Sequence, residues 1–236
     1  MFDEAGREIL ARIRGASRRA SHAQVRAELA ELPEVPAAPL PAADLPGAFL
    51  ANVVRLGGSC AVASSRRDTV DAIGEFVAER HGQRRLVAGH DPRLAALPWR
   101  DAGLLPRFGS AENDEPVAVS YARSAVAETG SVLLWRDRDN PASNSLLAED
   151  HIVLVDEPTL VERLEQAFPT DDYADPQARP RGAMLISGPS STADINLHLV
   201  MGAHGPRCWH VILVGAGLDP GLPERARQLA ARQSGV

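Results

Sequence analysis

The sequence predicts an α/β fold in which an open, largely parallel sheet is covered on both faces. Two observations carry that expectation. Segments such as HIVLV (151–155) and WHVILV (209–214) are near-continuous apolar runs, as strands buried on both faces require. Between the apolar runs lie stretches with helical spacing, long enough to act as crossovers. Ordinary globular values, 44% apolar and 24% charged over 236 residues, allow a sizeable core in one large domain or two small ones.

The first 32 residues read as a helical arm in two pieces. Ile9 and Ile13 share a face at i, i+4, and Ser21 with Gln24 forms a capping-box pattern ahead of Val25, Leu29 and Leu32. Five prolines between Pro33 and Pro46 predict an extended linker over 33–46, which leaves 47–236 as the α/β domain. In that body, Phe49, Val53 and Leu56 have helical spacing, Gly57-Gly58 ends the helix, and Cys60 to Ala63 is the first strand. Val70, Ile73 and Val77 predict a helix with Asp68 as N-cap, followed by a strand at Arg85 to Ala88. The span 91–116, rich in proline and acidic residues, is expected to be irregular with one helical turn near Leu94. Next come a strand at 117–121, a helical step ARSAVAE (122–128), strands at 131–135 and 152–155, a helix from Pro158 to Phe168, and strands at 184–187 and 209–214.

Composition excludes several classes of function. With 25 Lys+Arg against 31 Asp+Glu, the net charge of −6 has the wrong sign for gripping phosphate backbones, so no nucleic-acid partner is expected. Cys60 and Cys208 are the only cysteines and show no ligand spacing, so the chain itself is expected to hold no zinc or iron–sulfur cluster, and a reducing compartment suits it. The opening MFDEAGREIL lacks a signal peptide's basic start, and no apolar run approaches the roughly 20 residues that span a bilayer. The expectation is a soluble, cytoplasmic protein with no membrane span.

Three stretches could carry chemistry. In SGPSSTADI (187–195), an apolar strand precedes Gly188-Pro189, and Ser190, Ser191 or Thr192 is placed to cap a helix ADINLHLV, with Asp194 in its first turn. A helix start presents unpaired N–H groups to a phosphate or carboxylate, yet the same residues also make ordinary caps. The turn is expected beyond the carboxyl ends of the strands, where open α/β sheets gather ligands. In GAHGP (202–206), Gly202 would close that helix and Gly205-Pro206 would turn into the last strand. His204 could act as acid, base or donor, or simply bond a loop carbonyl. His198, four residues after Asp194, reads as a helix-surface pair rather than a metal ligand. In AETG (127–130), Glu128 stands before a strand, where a carboxylate could be a base or nucleophile, or be solvated.

Taken together and in this order, AETG, SGPSSTADI and GAHGP resemble the LUD-domain family, specifically its lactate-utilisation protein C type, over about residues 45–215. The resemblance implies a three-layer α/β/α Rossmann-like body, similar to the sugar-phosphate isomerase, glucosamine-6-phosphate deaminase and CoA-transferase group. It also implies a part in oxidising L-lactate to pyruvate beside partner proteins that carry the iron–sulfur clusters, with no cofactor in this chain. Glu128, Thr129, Gly130, Ser187, Gly188, Pro189, Ser190, Thr192, Asp194, Gly205 and Pro206 match the family's pattern, and His204 is carried over with them. Glu128 and His204 are the candidate catalytic pair; the others are candidate contacts to a small carboxylate or phosphate-bearing ligand. Ser191 and Asn196 depart from the pattern, which usually has a basic residue and often a glutamate there.

Two other readings stand beside this one. The chain could be an independent acyl/CoA transferase with Glu128 as nucleophile, or an isomerase of phosphorylated sugars, although it lacks a long Gly-rich loop for CoA phosphates. It could also be an assembly subunit whose helical arm docks a partner.

Overall fold

The computed structural model describes residues 4–16, 21–31, 39–168, 180–195 and 198–233. The chain divides into two compact units, Met1–Ala38 and Pro39–Val236. The first holds α1 (Glu4–Ala16) and α2 (His22–Ala30). Ahead of α2 the Ser21 N–H donates to Gln24 Oε1 at 2.8 Å and the Gln24 N–H donates to Ser21 Oγ at 3.2 Å, a reciprocal capping box. Residues 33–38 of the expected linker lie outside the described residues, and its last two, Leu45 and Pro46, belong to a helix instead.

The second unit opens with α3 (Leu45–Arg55), whose first N–H groups are capped by Asp44. Six strands then form one parallel sheet in the order β1 (Ser59–Ala63), β12 (Cys208–Val214), β7 (Asp150–Asp156), β4 (Val117–Tyr121), β2 (Arg85–Ala88), β3 (Leu105–Phe108). α4 (Arg66–His81) packs one face, through Val70, Ile73 and Val77 against Ile152, Leu154 and Ile212. α3 and α6 (Leu222–Gln233) pack the other, with Phe49, Leu50 and Val53 in the same core as Val153, Val155, Val211 and Leu213. Alternate residues of β7 and β12 thus feed two cores, which is why both strands are apolar throughout. The architecture is the three-layer α/β/α body expected. A short helix α5 (Pro92–Ala95) follows β2. A second sheet, β8 (Leu160–Val161), β5 (Ser124–Val126), β6 (Ser131–Arg136) and β9 (Gly182–Ile186), branches from the end of β4.

Several local expectations are corrected. Residues 191–195 and 198–201 are strand, not helix. Here β10 (Ser191–Ile195) pairs antiparallel with β11 (His198–Met201), Thr192 opposite Val200 and Ile195 opposite His198. Thr, Asp, Ile and Asn are middling helix formers, and cross-strand pairing outweighs the helical spacing. The dipole-based anion site expected at Ser190–Thr192 goes with that helix. Gly202 caps no helix either; its φ of 77° makes the left-handed turn after β11. The segment ARSAVAE contains β5 rather than a helical step, its alanine-rich helix preference overridden by ladders to β6 and β8. The expected helix at 158–168 is two 3₁₀ turns, Glu157–Thr159 and Leu164–Ala167, around β8. The irregular span 91–116 includes β3, whose Pro106 is tolerated because the strand is at the sheet edge. Ser65, not Asp68, caps α4, accepting from the Asp68 N–H at 3.1 Å.

Candidate functional site

The three signature stretches, separate in sequence, meet at the amino edge of the parallel sheet. AETG is a tight turn between β5 and β6. Its Gly130, at φ 66°, presses on the backbone of α3 so closely that a Cβ would come within 2.7 Å of Asn52 C. Asn52, in the middle of the apolar face of α3, donates from Nδ2 to the carbonyls of Ala127 at 2.8 Å and Glu128 at 3.2 Å. The Glu128 carboxylate faces its own surroundings: Oε2 accepts from the Leu164 N–H at 3.3 Å, and Oε1 lies 3.7 Å from Arg163 Nη1.

Hydroxyls link this turn to the second stretch. Ser131 Oγ donates to Thr129 Oγ1 at 2.7 Å and is 2.5 Å from Ser187 Oγ. Gly188, at φ 105°, lies against the Leu56 carbonyl, and Pro189 sits over Gly57. Ser190 then ties the second stretch to the third. Its N–H donates to the Pro206 carbonyl at 2.9 Å, its carbonyl accepts from the Gly202 N–H at 2.8 Å, and its Oγ accepts from the His204 N–H at 3.3 Å. Gly205 packs on Ser190, with room for a Cβ only at 3.3 Å from Ser190 Cβ.

The loop so held opens on a cleft of about 400 Å³ between residues 146–149 and 202–207. The exposed side chains of Leu146 and Leu147 form its apolar side, and His204, Arg207 and Glu149 its polar side. Gly202 makes room for the Arg207 stem, which fills the space a Cβ would take. The Arg207 N–H donates to the Glu149 carbonyl at 2.7 Å, anchoring the loop to the entry of β7.

Of the residues singled out from sequence, the fold therefore brings together Thr129, Gly130, Ser187, Gly188, Pro189, Ser190, Gly205 and Pro206, with His204 at the open cleft. Glu128 is on the far side of its turn, bonded to residues 163–164. Thr192 lies on β10, as does the backbone of Asp194, whose side chain falls outside the description. The cleft is also at the opposite sheet edge from the one expected: 202–206 leads into the start of β12, not away from a strand's carboxyl end. Asn52, Ser131 and Arg207 were missed by sequence reasoning. Asn52 alone carried a signal, a polar side chain among Phe49, Val53 and other core positions, which must find a partner.

Residues 113–214, which include all three stretches, match the family model of the LUD domain. The chain carries a LUD domain over these residues. Its relatives include the lactate utilization protein C of Macrococcus caseolyticus, 34% identical over 58% of this chain and 66% of that protein. The protein of the same name from Bacillus subtilis is 35% identical over 54% of this chain and 55% of its own length. That from Oceanobacillus iheyensis is 37% identical over 38% and 40%. The match to the LUD chain thus spans about two fifths to two thirds of these relatives' length. A crystal structure of a DUF162-family protein from Deinococcus radiodurans superposes with a TM-score of 0.52 at 20% identity, covering 72% of this chain and 96% of that one, a likeness of fold. Among the described residues of the LUD chain, no helix is long and apolar enough to cross a membrane.

Proposed function

We propose that this LUD protein serves lactate utilisation as the component without iron–sulfur clusters in a cytoplasmic system that oxidises L-lactate to pyruvate, working beside partner proteins that carry the clusters. Its relatives named lactate utilization protein C support the pathway. The observation that carries the site is the Ser190 knot, which fixes the His204 loop against the cleft. His204 and Arg207 offer donors to a carboxylate or phosphate there, and Leu146 and Leu147 offer an apolar wall to the rest of the ligand. Glu128, engaged by the Leu164 N–H and near Arg163, suits a positioning role better than that of a free nucleophile.

The test is growth on L-lactate as sole carbon source after deletion of the gene. Growth should fail, return with the wild-type gene, and return only weakly with His204→Ala. A pull-down from lactate-grown cells should recover iron–sulfur proteins. Normal growth of the deletion strain on lactate overturns the reading.

A further inference from the structure

At the opposite edge of the main sheet lies a second arrangement that none of the three signature stretches touches. From β2 the chain moves out to β3, then returns across β2 to β4 and continues to β7 and β12. The topological switch point is therefore between β2 and β4. There successive crossovers run to opposite sides and open a crevice beyond the carboxyl ends of the strands.

In this chain the ends of five parallel strands supply side chains to one cavity of about 280 Å³: Arg66 and Thr69 after β1, Arg93 after β2, Tyr121 ending β4, and Asp156 ending β7. The fifth, β12, contributes Val214, which with Leu97 makes the apolar part of the wall. The polar groups are locked to one another. Tyr121 donates its hydroxyl to Asp156 Oδ1 at 2.5 Å, and the Arg93 guanidinium lies 3.8 Å over the Tyr121 ring while donating to Asp156 Oδ2 at 3.0 Å. Asp91 takes the other side of Arg93 at 2.7 Å. Burial and the bond to Asp156 push the Tyr121 hydroxyl's pKa up, so it stays a donor. Two groups keep capacity for a guest. Arg66 has no ion-pair partner among the described residues, and Asp156 accepts one bond on each oxygen, leaving further lone pairs.

We propose that this cavity binds a short 2-hydroxy or 2-amino acid, its carboxylate on Arg66 and its hydroxyl or ammonium donating to Asp156. A cation without an ion-pair partner among the described residues and a carboxylate with spare lone pairs, in one small cavity, match a carboxylate with an adjacent donor. At about 280 Å³ the cavity is just smaller than sites for drug-sized ligands, which suits a small guest. Inorganic phosphate would pair with Arg66 but meet Asp156 as a like charge. A plain carboxylate would leave Asp156 without a new donor. The proposal does not depend on the lactate-utilisation reading, which places its ligand at the other sheet edge.

Calorimetric titration of the full chain with L-lactate, L-alanine, propionate and inorganic phosphate tests it, each repeated on Arg66→Ala and His204→Ala. Arg66 is a surface residue in the first turn of α4, so its replacement leaves the fold intact. Lactate or alanine should bind at least about tenfold more tightly than propionate or phosphate, and Arg66→Ala should weaken that binding about tenfold, as loss of a charge-assisted bond does. His204→Ala, outside this cavity, should leave the Arg66-dependent part of the binding unchanged. The site is overturned if neither lactate nor alanine binds, if propionate or phosphate binds as well as they do, or if Arg66→Ala has no effect. Binding lost in His204→Ala but kept in Arg66→Ala would place the ligand at the amino-edge cleft, overturning this site while leaving the pathway reading to the growth test.

Discussion

Asn52 on α3 and Ala127 in the AETG turn are joined by a buried hydrogen bond of 2.8 Å, across 75 positions of sequence. The same amide reaches the Glu128 carbonyl, so a single side chain satisfies two carbonyls of a turn that packs on the helix. Asn52→Ala leaves both acceptors in a dry contact, at a cost of about 1–3 kcal/mol. For a chain of this size that is a fall in melting temperature of about 2–12 °C. Scanning calorimetry should find it, and an unchanged midpoint would mean the turn is held without Asn52.

Gly188 and Gly217 both have positive φ, at 105° and 92°, but differ in their surroundings. A Cβ on Gly188 would lie 2.8 Å from the Leu56 carbonyl oxygen, whereas Gly217 has nothing within 4 Å. Gly217→Ala should therefore cost only the backbone strain, about 1–2 kcal/mol, and Gly188→Ala clearly more, because helix α3 or the Ser187–Ser190 turn must shift. Urea denaturation of the two variants gives the comparison directly. Equal losses would show that the Leu56 contact yields without cost.

The sheet was legible in the sequence because β1, β2, β4, β7 and β12 are apolar on both faces, a pattern set by the two cores and needing no partner information. The second sheet was less so. β5 is rich in alanine and β8 has two residues, and each is a strand only because a ladder elsewhere accepts it. The antiparallel pair β10 and β11 shows the same limit, since residues spaced like a helix face were organised by pairing with each other. Among site residues, Gly188 and Gly205 were legible as turn residues, whereas Ser190 and Gly202 were read as caps of a helix that the β10–β11 pair replaces. The partners they serve, the Leu56 carbonyl and the Pro206 carbonyl, lie in distant segments and could not be read from the stretches themselves. The switch-point side chains Arg66, Arg93, Tyr121 and Asp156 were invisible for that reason too: strand order, not sequence spacing, brings them together.

Asp150 begins β7 fully buried, held by a two-pronged bond from Arg80 and by His81 Nε2 at 2.9 Å. Arg80→Ala takes away the main partner of a carboxylate that cannot reach water. Breaking a buried pair in this way costs about 3–5 kcal/mol, and the bond from His81 places the expected loss at the low end. Asp150→Asn combined with Arg80→Ala should recover part of the stability, because no unpaired charge stays inside. If the double variant is as unstable as the single, the contact of the Arg80 guanidinium with the Phe76 ring, rather than the ion pair, is responsible.

Two buried histidines make the chain acid-sensitive. His151 is fully buried on β7 with Nε2 3.0 Å from Ser120 Oγ, and desolvation lowers its pKa to about 3. His210 on β12 bonds Ser59 through Nδ1 at 2.8 Å and stacks on Phe76. Desolvation, reinforced by Arg80 and opposed by Asp150, lowers its pKa to about 4. In the unfolded chain both titrate near pH 6.5, so below that value the unfolded state binds protons that the folded state refuses. Their stabilising contribution is thus complete above about pH 6.5 and is lost as pH falls from there towards each folded-state value, at up to about 1.4 kcal/mol per pH unit per histidine. Urea midpoints measured from about pH 7 down to about pH 5, a window above most carboxylate titration, should fall steeply. The variant His210→Phe should flatten the slope by about one proton, even if it lowers stability at neutral pH. An unchanged slope in that variant would mean that His210 is already protonated in the folded state.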